Sequence, residues 1–92
     1  MVEKGLALPG KILLGSDSHT CSYGAVGTFS SGIDRTEAAA LLLTGQTWLK
    51  VPQSIKMNLN NNFSSGVFAK DLILHIIGDI SASGATYCSV EY

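Results

Sequence analysis

The chain has 92 residues, a mass of 9.7 kDa and a formal net charge of −1, with six Lys+Arg against seven Asp+Glu. That length has room for one small domain, and the balanced charge leaves no electrostatic footprint for nucleic acid or an anionic membrane. Only 14% of the residues are charged, against about 25% in an average globular domain, and the mean hydropathy is +0.27. A small domain has proportionally more surface to dress, so a low charge points either to a membrane or to a surface covered by other protein. The longest uninterrupted apolar run, Ala38 to Leu43, is far short of the roughly 20 residues a spanning helix needs. Glu3, Lys4 and Gly5 interrupt the start, which gives no secretory signal. A cytoplasmic chain with protein-covered faces is the expectation. Cys21 and Cys88 have no C-x-x-C spacing and no accompanying Cys/His cluster, so both read as reduced thiols rather than as ligands of a metal site.

Along the chain, Val2 to Gly10 opens the sequence and turns at Pro9-Gly10. Lys11 to Gly15 predicts a short buried strand. Ser16-Asp17-Ser18-His19-Thr20 follows it directly, a dense polar run on the edge where ligands sit in open α/β sheets. Gly24, Gly27 and Gly32 punctuate the next stretch, a composition suited to close backbone approach. It does not match a dinucleotide fingerprint, because Gly24-x-x-Gly27 lacks the G-x-G start. Asp34-Arg35-Thr36-Glu37 has the form of a capping box. Ala38 to Leu43 then predicts a helix apolar on all sides, hence covered all round, and ended by Gly45.

Thr47 to Val51 is a possible strand closed by Pro52. Ser54 to Asn60 alternates, with Ile55, Met57 and Leu59 on one face, and predicts a half-buried strand. Asn60 to Gly66 is a loop. Lys70 to Ile77 predicts a helix with Asp71 near its start and Gly78 at its end. Ala85 to Tyr92 predicts a final strand. Strands alternating with helical stretches give an α/β class.

Asp17-Ser18-His19-Thr20 is the cluster that can carry chemistry. An Asp and a His two apart can converge, fix the tautomer of the imidazole and tune it for proton transfer. The same residues also suit a plain turn in which Asp and Ser side chains bond the backbone. A Ser-His-Asp hydrolase would need the three groups to converge in space, which adjacency does not supply. His75 reads as a core or interface histidine, Trp48 and Phe63 as packing residues, and Cys21 as a small buried hydrophobe. Glu91 is a carboxylate in an apolar strand, so it must meet water, a cation or a donor.

Gly15-Ser16-Asp17-Ser18-His19-Thr20-Cys21-Ser22-Tyr23-Gly24-Ala25-Val26-Gly27 resembles the G-x-D-S-H-T-x-x-x-G-x-x-G segment of the aconitase superfamily. Later runs resemble its 3-isopropylmalate dehydratase large-subunit branch, which includes homoaconitase-like relatives. They are Thr44 to Pro52, Ala69 to Gly78 and Gly84-Ala85-Thr86-Tyr87. The resemblance implies part of a three-layer α/β/α domain, with residues 1–92 as a fragment of the first α/β domain and no internal boundary. It implies a hydro-lyase that removes water from a hydroxy-polycarboxylate and adds it back, with a 4Fe–4S cluster, in leucine biosynthesis or a related route. It places Asp17, Ser18 and His19 in the active site and makes Glu91 the candidate for a family glutamate that pairs with a histidine such as His19. It also implies a small subunit or swivelling domain as partner.

Against that pattern, the family's three cluster cysteines lie downstream of the matched region, and Cys21 and Cys88 are not at their positions. Ile33-Asp34-Arg35 stands where relatives usually have small residues, and Asn60-Asn61-Asn62 replaces a more ordinary turn. The isolated chain is therefore expected to bind no cluster and to be inactive. The alternative is a non-catalytic remnant or interaction module without a cluster.

Overall fold

A computed structural model describes all 92 residues. The chain divides into two compact units, Met1–Leu49 and Lys50–Tyr92. In the first unit, β1 (Ile12–Gly15) pairs in parallel with β2 (Phe29–Gly32), Ile12 opposite Phe29 and Gly15 opposite Gly32. The crossover between them is a 3-10 helix, Ser18–Val26. Parallel neighbours need a connection of about a dozen residues or more, and this stretch supplies it. It closes at Gly27, whose φ of 74° is left-handed and whose N–H donates to the Gly24 carbonyl at 2.9 Å.

The predicted turn at Pro9-Gly10 is present, with Gly10 at φ 74°. Its Gly10 N–H donates to the Gly27 carbonyl at 3.3 Å, and the Thr28 hydroxyl donates to the Leu8 carbonyl at 3.0 Å. These bonds tie the opening segment to the crossover. The buried residues of the whole chain are Ala7, Thr20 and Thr28, and all three belong to this unit.

α1 (Arg35–Thr44) follows β2. Its capping box is the predicted one. The Asp34 carboxylate accepts from the Glu37 N–H at 2.7 Å, and the Glu37 carboxylate accepts from the Asp34 N–H at 3.2 Å. Gly45, at φ 68°, caps the other end with its N–H on the Leu41 carbonyl at 2.8 Å. None of the α1 residues is buried, and Leu42 and Leu43 are 88% and 87% exposed. The expected cover on all sides is therefore absent within this chain: Glu37, Ala38 and Leu41 are half-buried, and the rest of the helix is exposed.

In the second unit, β3 (Gln53–Lys56) pairs in parallel with β4 (Cys88–Glu91), and α2 (Ala69–Ile80) lies between them in sequence. β3 is shorter than the predicted Ser54–Asn60 strand, and Ile55 and Met57 are the half-buried members of the alternation. The Asp71 carboxylate accepts from the Phe68 N–H at 2.8 Å and secures the first turn of α2. α2 runs through Gly78 to Ile80, because a glycine inside a helix costs only about 1 kcal/mol relative to Ala and the apolar spacing continues. The stop comes at Ser81, at a positive φ of 66°. The final strand begins at Cys88 rather than Ala85, since Ser81–Cys88 is a chain of turns.

Thr47 to Val51 forms no strand. Trp48 and Phe63 are 75% and 55% exposed, so they are not packing residues within this chain. His75 is not in a core. Its Nε2 stands 3.5 Å from the Asp79 carboxylate one helical turn away, with the ring 75% exposed. The architecture is mixed α/β, two parallel strand pairs each with a helical crossover.

Candidate active site

The carboxyl ends of β1 and β2 carry the polar cluster, on the edge that open α/β sheets use for ligands. Chain direction forces this. Leu13 and Leu14 are half-buried in β1, and the polar run begins at the next turn, where Ser16 to His19 are exposed. Asp17 has extended backbone (φ −123°, ψ 137°) and is the N-cap of the 3-10 helix, as its short acceptor side chain favours.

One carboxylate oxygen of Asp17 serves two donors. Oδ1 accepts from the His19 backbone N–H at 3.2 Å and lies 3.0 Å from His19 Nδ1. The plain turn and the Asp–His pair foreseen from the sequence are thus one arrangement. A carboxylate only accepts, so the partner dictates a proton on Nδ1 and leaves Nε2 bare. The His19 hydrogen bonds, side-chain first and then backbone, hold the Asp17 carboxyl below its ordinary value of 3.8. Desolvation opposes these bonds and pushes the carboxyl the other way, without outweighing them. The imidazole and carboxylate side chains are 86% and 69% exposed, so water screens the pair and its contribution is orientation more than energy.

The Asp17 carbonyl is held from the other side. The Thr20 hydroxyl donates to it at 2.6 Å and the Thr20 N–H at 3.0 Å. Cys21 is exposed, not buried as its residue type suggests, and its Sγ donates to the Ser18 carbonyl at 3.5 Å. Glu91 belongs to the other unit. It ends β4 beside Lys56 in register, its carbonyl accepts from the Met57 N–H at 2.8 Å, and its side chain is exposed, so it meets water as a carboxylate must. Asp17, Ser18 and His19 are together on one turn. Thr20 belongs to the polar cluster read from the sequence, but the sequence assigned it no role of its own. Its signal, a threonine following a strand-end glycine and a polar run, is legible only once its burial is known.

No group of three or more His, Cys, Asp or Glu side chains that could hold a metal ion occurs in the chain. Both cysteines are free, one in each unit. An iron–sulfur cluster takes several thiolates converging on one site. These residues do not fit one. A groove of about 400 Å³ in the second unit, with Asn58, Asn60, Asn62 and Phe63 in its wall, offers amides and an aromatic ring but no titratable group.

The fold and the turn define a class: α/β crossover units with an imidazole–carboxylate pair at the carboxyl edge of a parallel strand pair. Residues 1–92 match the aconitase family (aconitate hydratase) throughout, and the chain belongs to that family. It is 53% identical over 90 residues to a 3-isopropylmalate dehydratase large subunit of Clostridium kluyveri, covering 98% of this chain and 21% of that protein. A 3-isopropylmalate dehydratase large subunit of Clostridium botulinum is 54% identical, over 98% of this chain and 22% of its own length. A probable methanogen homoaconitase large subunit of Methanosarcina mazei is 48% identical, over 98% and 23%. The chain thus spans about a fifth of the relatives it matches.

Proposed function

We propose that these 92 residues are the substrate-side part of an aconitase-type hydro-lyase acting on a hydroxy-polycarboxylate such as 3-isopropylmalate, by dehydration and rehydration at the neighbouring carbon. The observation that carries this reading is the 3.0 Å contact between Asp17 Oδ1 and His19 Nδ1. It leaves Nε2 facing solvent as a base for a substrate proton and, once protonated, as an acid for the departing or returning hydroxyl. Asp17 orients the ring and balances the charge that forms on it. Ser18, exposed on the same turn, is within the segment that would meet a substrate carboxylate. Glu91 is proposed as a further carboxylate of the complete enzyme's active site, and the complete domain as a three-layer α/β/α one.

On this reading the 4Fe–4S cluster implied by the family is held by residues outside these 92, and further substrate contacts come from a small subunit or swivelling domain. The setting is cytoplasmic leucine biosynthesis or a related route. No helix of the chain is long and apolar enough to cross a membrane.

The test is a complete large subunit carrying this segment in place of its own, assembled with a small subunit. His19→Ala is expected to lower kcat by about 10²–10⁴-fold, the range for a lost general acid–base group, with the cluster absorbance retained. Near-normal turnover removes His19 from the chemistry. The isolated chain, reconstituted anaerobically with iron and sulfide, is expected to show no cluster band and no turnover. A band would count against the assignment.

A second reading is a non-catalytic interaction module. The 88% and 87% exposure of Leu42 and Leu43 favours it. A purified chain that is monomeric and binds no apolar dye argues against it.

A further inference from the structure

β1 and β2 end in glycines that stand opposite each other, Gly15 and Gly32. Both lie under the same turn. A Cβ on Gly15 would stand 2.5 Å from the Thr20 hydroxyl oxygen, and a Cβ on Gly32 would stand 3.2 Å from the Asp17 carbonyl oxygen. The paired strand ends therefore form a floor without side chains, and the Asp17–Thr20 turn rests on it. Larger residues at either position would lift the turn off the sheet edge.

Thr20 is 5% exposed, although threonine is ordinarily a surface residue. A buried hydroxyl must find a partner, and this one donates to the Asp17 carbonyl at 2.6 Å. The Thr20 N–H donates to the same oxygen at 3.0 Å. Two donors on one carbonyl set the plane of the Asp17–Ser18 peptide. That plane sets where the Asp17 carboxylate and the His19 ring leave the backbone.

We infer that Thr20, seated on the Gly15–Gly32 floor, is a positioning residue: it clamps the Asp17 peptide so that the carboxylate engages Nδ1 of His19 and the outward Nε2 stays a bare acceptor. Its functional meaning rests on the proposed role of His19, whereas its geometry does not. The clamp acts from below the turn and touches neither imidazole nor solvent, so it serves any substrate that meets Nε2.

The experiment is ¹⁵N NMR of the His19 ring in the 92-residue chain, at a pH well above the titration of a free imidazole. The expected signature is a protonated Nδ1 and a bare Nε2, the reverse of the tautomer a free histidine side chain prefers. Thr20→Val keeps the shape and removes the donor. It is expected to shift the ring toward the Nε2–H form and to move the Asp17 titration up toward 3.8. Thr20→Ser is expected to restore both. Gly32→Ala presses on the Asp17 carbonyl and leaves Thr20 intact, and the same direction of change is expected.

A merely structural Thr20 would lower stability without moving the ring shifts. Wild-type ring shifts in Thr20→Val, or in Gly32→Ala, overturn the inference, as does an Nε2–H tautomer in the unaltered chain. Should Thr20→Val not fold, Gly32→Ala and Thr20→Ser decide by the same readout. A ring that responds while His19→Ala leaves the complete enzyme active keeps the clamp and discards the catalytic reading. An unresponsive ring with a dead His19→Ala enzyme does the opposite.

Discussion

Asp17 and His19 are joined twice through one atom: Asp17 Oδ1 takes the backbone N–H of His19 at 3.2 Å and lies 3.0 Å from its ring Nδ1. The backbone bond makes an N-cap, and the ring contact makes an acid–base pair. A single rotamer of Asp17 serves both, so the local fold and the candidate chemistry share one carboxylate.

That sharing gives the pair a pH signature. The Asp17 carboxyl is lowered from 3.8, chiefly by its bond from the His19 side chain, so the folded chain binds this proton less tightly than the unfolded chain. Its contribution to stability is complete above 3.8 and is lost as pH falls through the lowered value. The unfolding midpoint is expected to decline across that acid range. Asp17→Asn should remove this component of the decline, measured by denaturation at a series of pH values.

α1 is shaped by its ends. Asp34→Ala removes the carboxylate on the Glu37 N–H and is expected to cost about 1 kcal/mol. Asp34→Asn keeps an acceptor and should cost only a few tenths. Urea denaturation, with amide exchange at Glu37 and Ala38 as the local probe, distinguishes the two.

The exposed side of α1 makes a contrasting prediction. Leu42→Lys and Leu43→Lys are expected to change the stability of this chain by less than about 0.5 kcal/mol, because both side chains already face water. The same substitutions within a complete large subunit should cost several-fold more wherever other segments cover the helix. Matched denaturation curves of the two proteins provide the measurement.

The turns before β4 hold two constrained positions. Tyr87 holds a φ of 61°, a left-handed conformation that costs a bulky residue about 1–2 kcal/mol. Tyr87→Gly relieves it, and the greater freedom of an unfolded glycine offsets part of the gain. A net stabilisation of up to about 1 kcal/mol is expected in thermal unfolding. A Cβ on Gly84 would overlap the carbonyl of Ile80 at the end of α2. Gly84→Ala must displace that carbonyl and is expected to cost about 1–3 kcal/mol.

Local signals made much of the fold legible. Asp34 and Glu37 announced the start of α1, Gly45 its end, and Pro9-Gly10 the opening turn, because caps and turns are satisfied within a few residues. Phe29–Gly32 was not legible as a strand, since two serines and a glycine carry no periodicity, and only pairing with Ile12–Gly15 orders it. Gly78 read as a stop for α2, but the helix continues to Ile80 and ends where Ser81 takes a positive φ.

The low charge that bounded the chain at the outset resolves into particular side chains. By itself the sequence determined where the polar run Asp17, Ser18 and His19 falls, because a run that follows an apolar strand emerges at that strand's carboxyl end. Only the tertiary structure decided which nitrogen of His19 stays free, that Thr20 and two facing glycines hold the turn, and that most of α1 lies exposed. The Asp17 contacts are local but depend on rotamer and burial, and the facing glycines depend on the register of two strands separated by the crossover, neither of which a sequence pattern encodes.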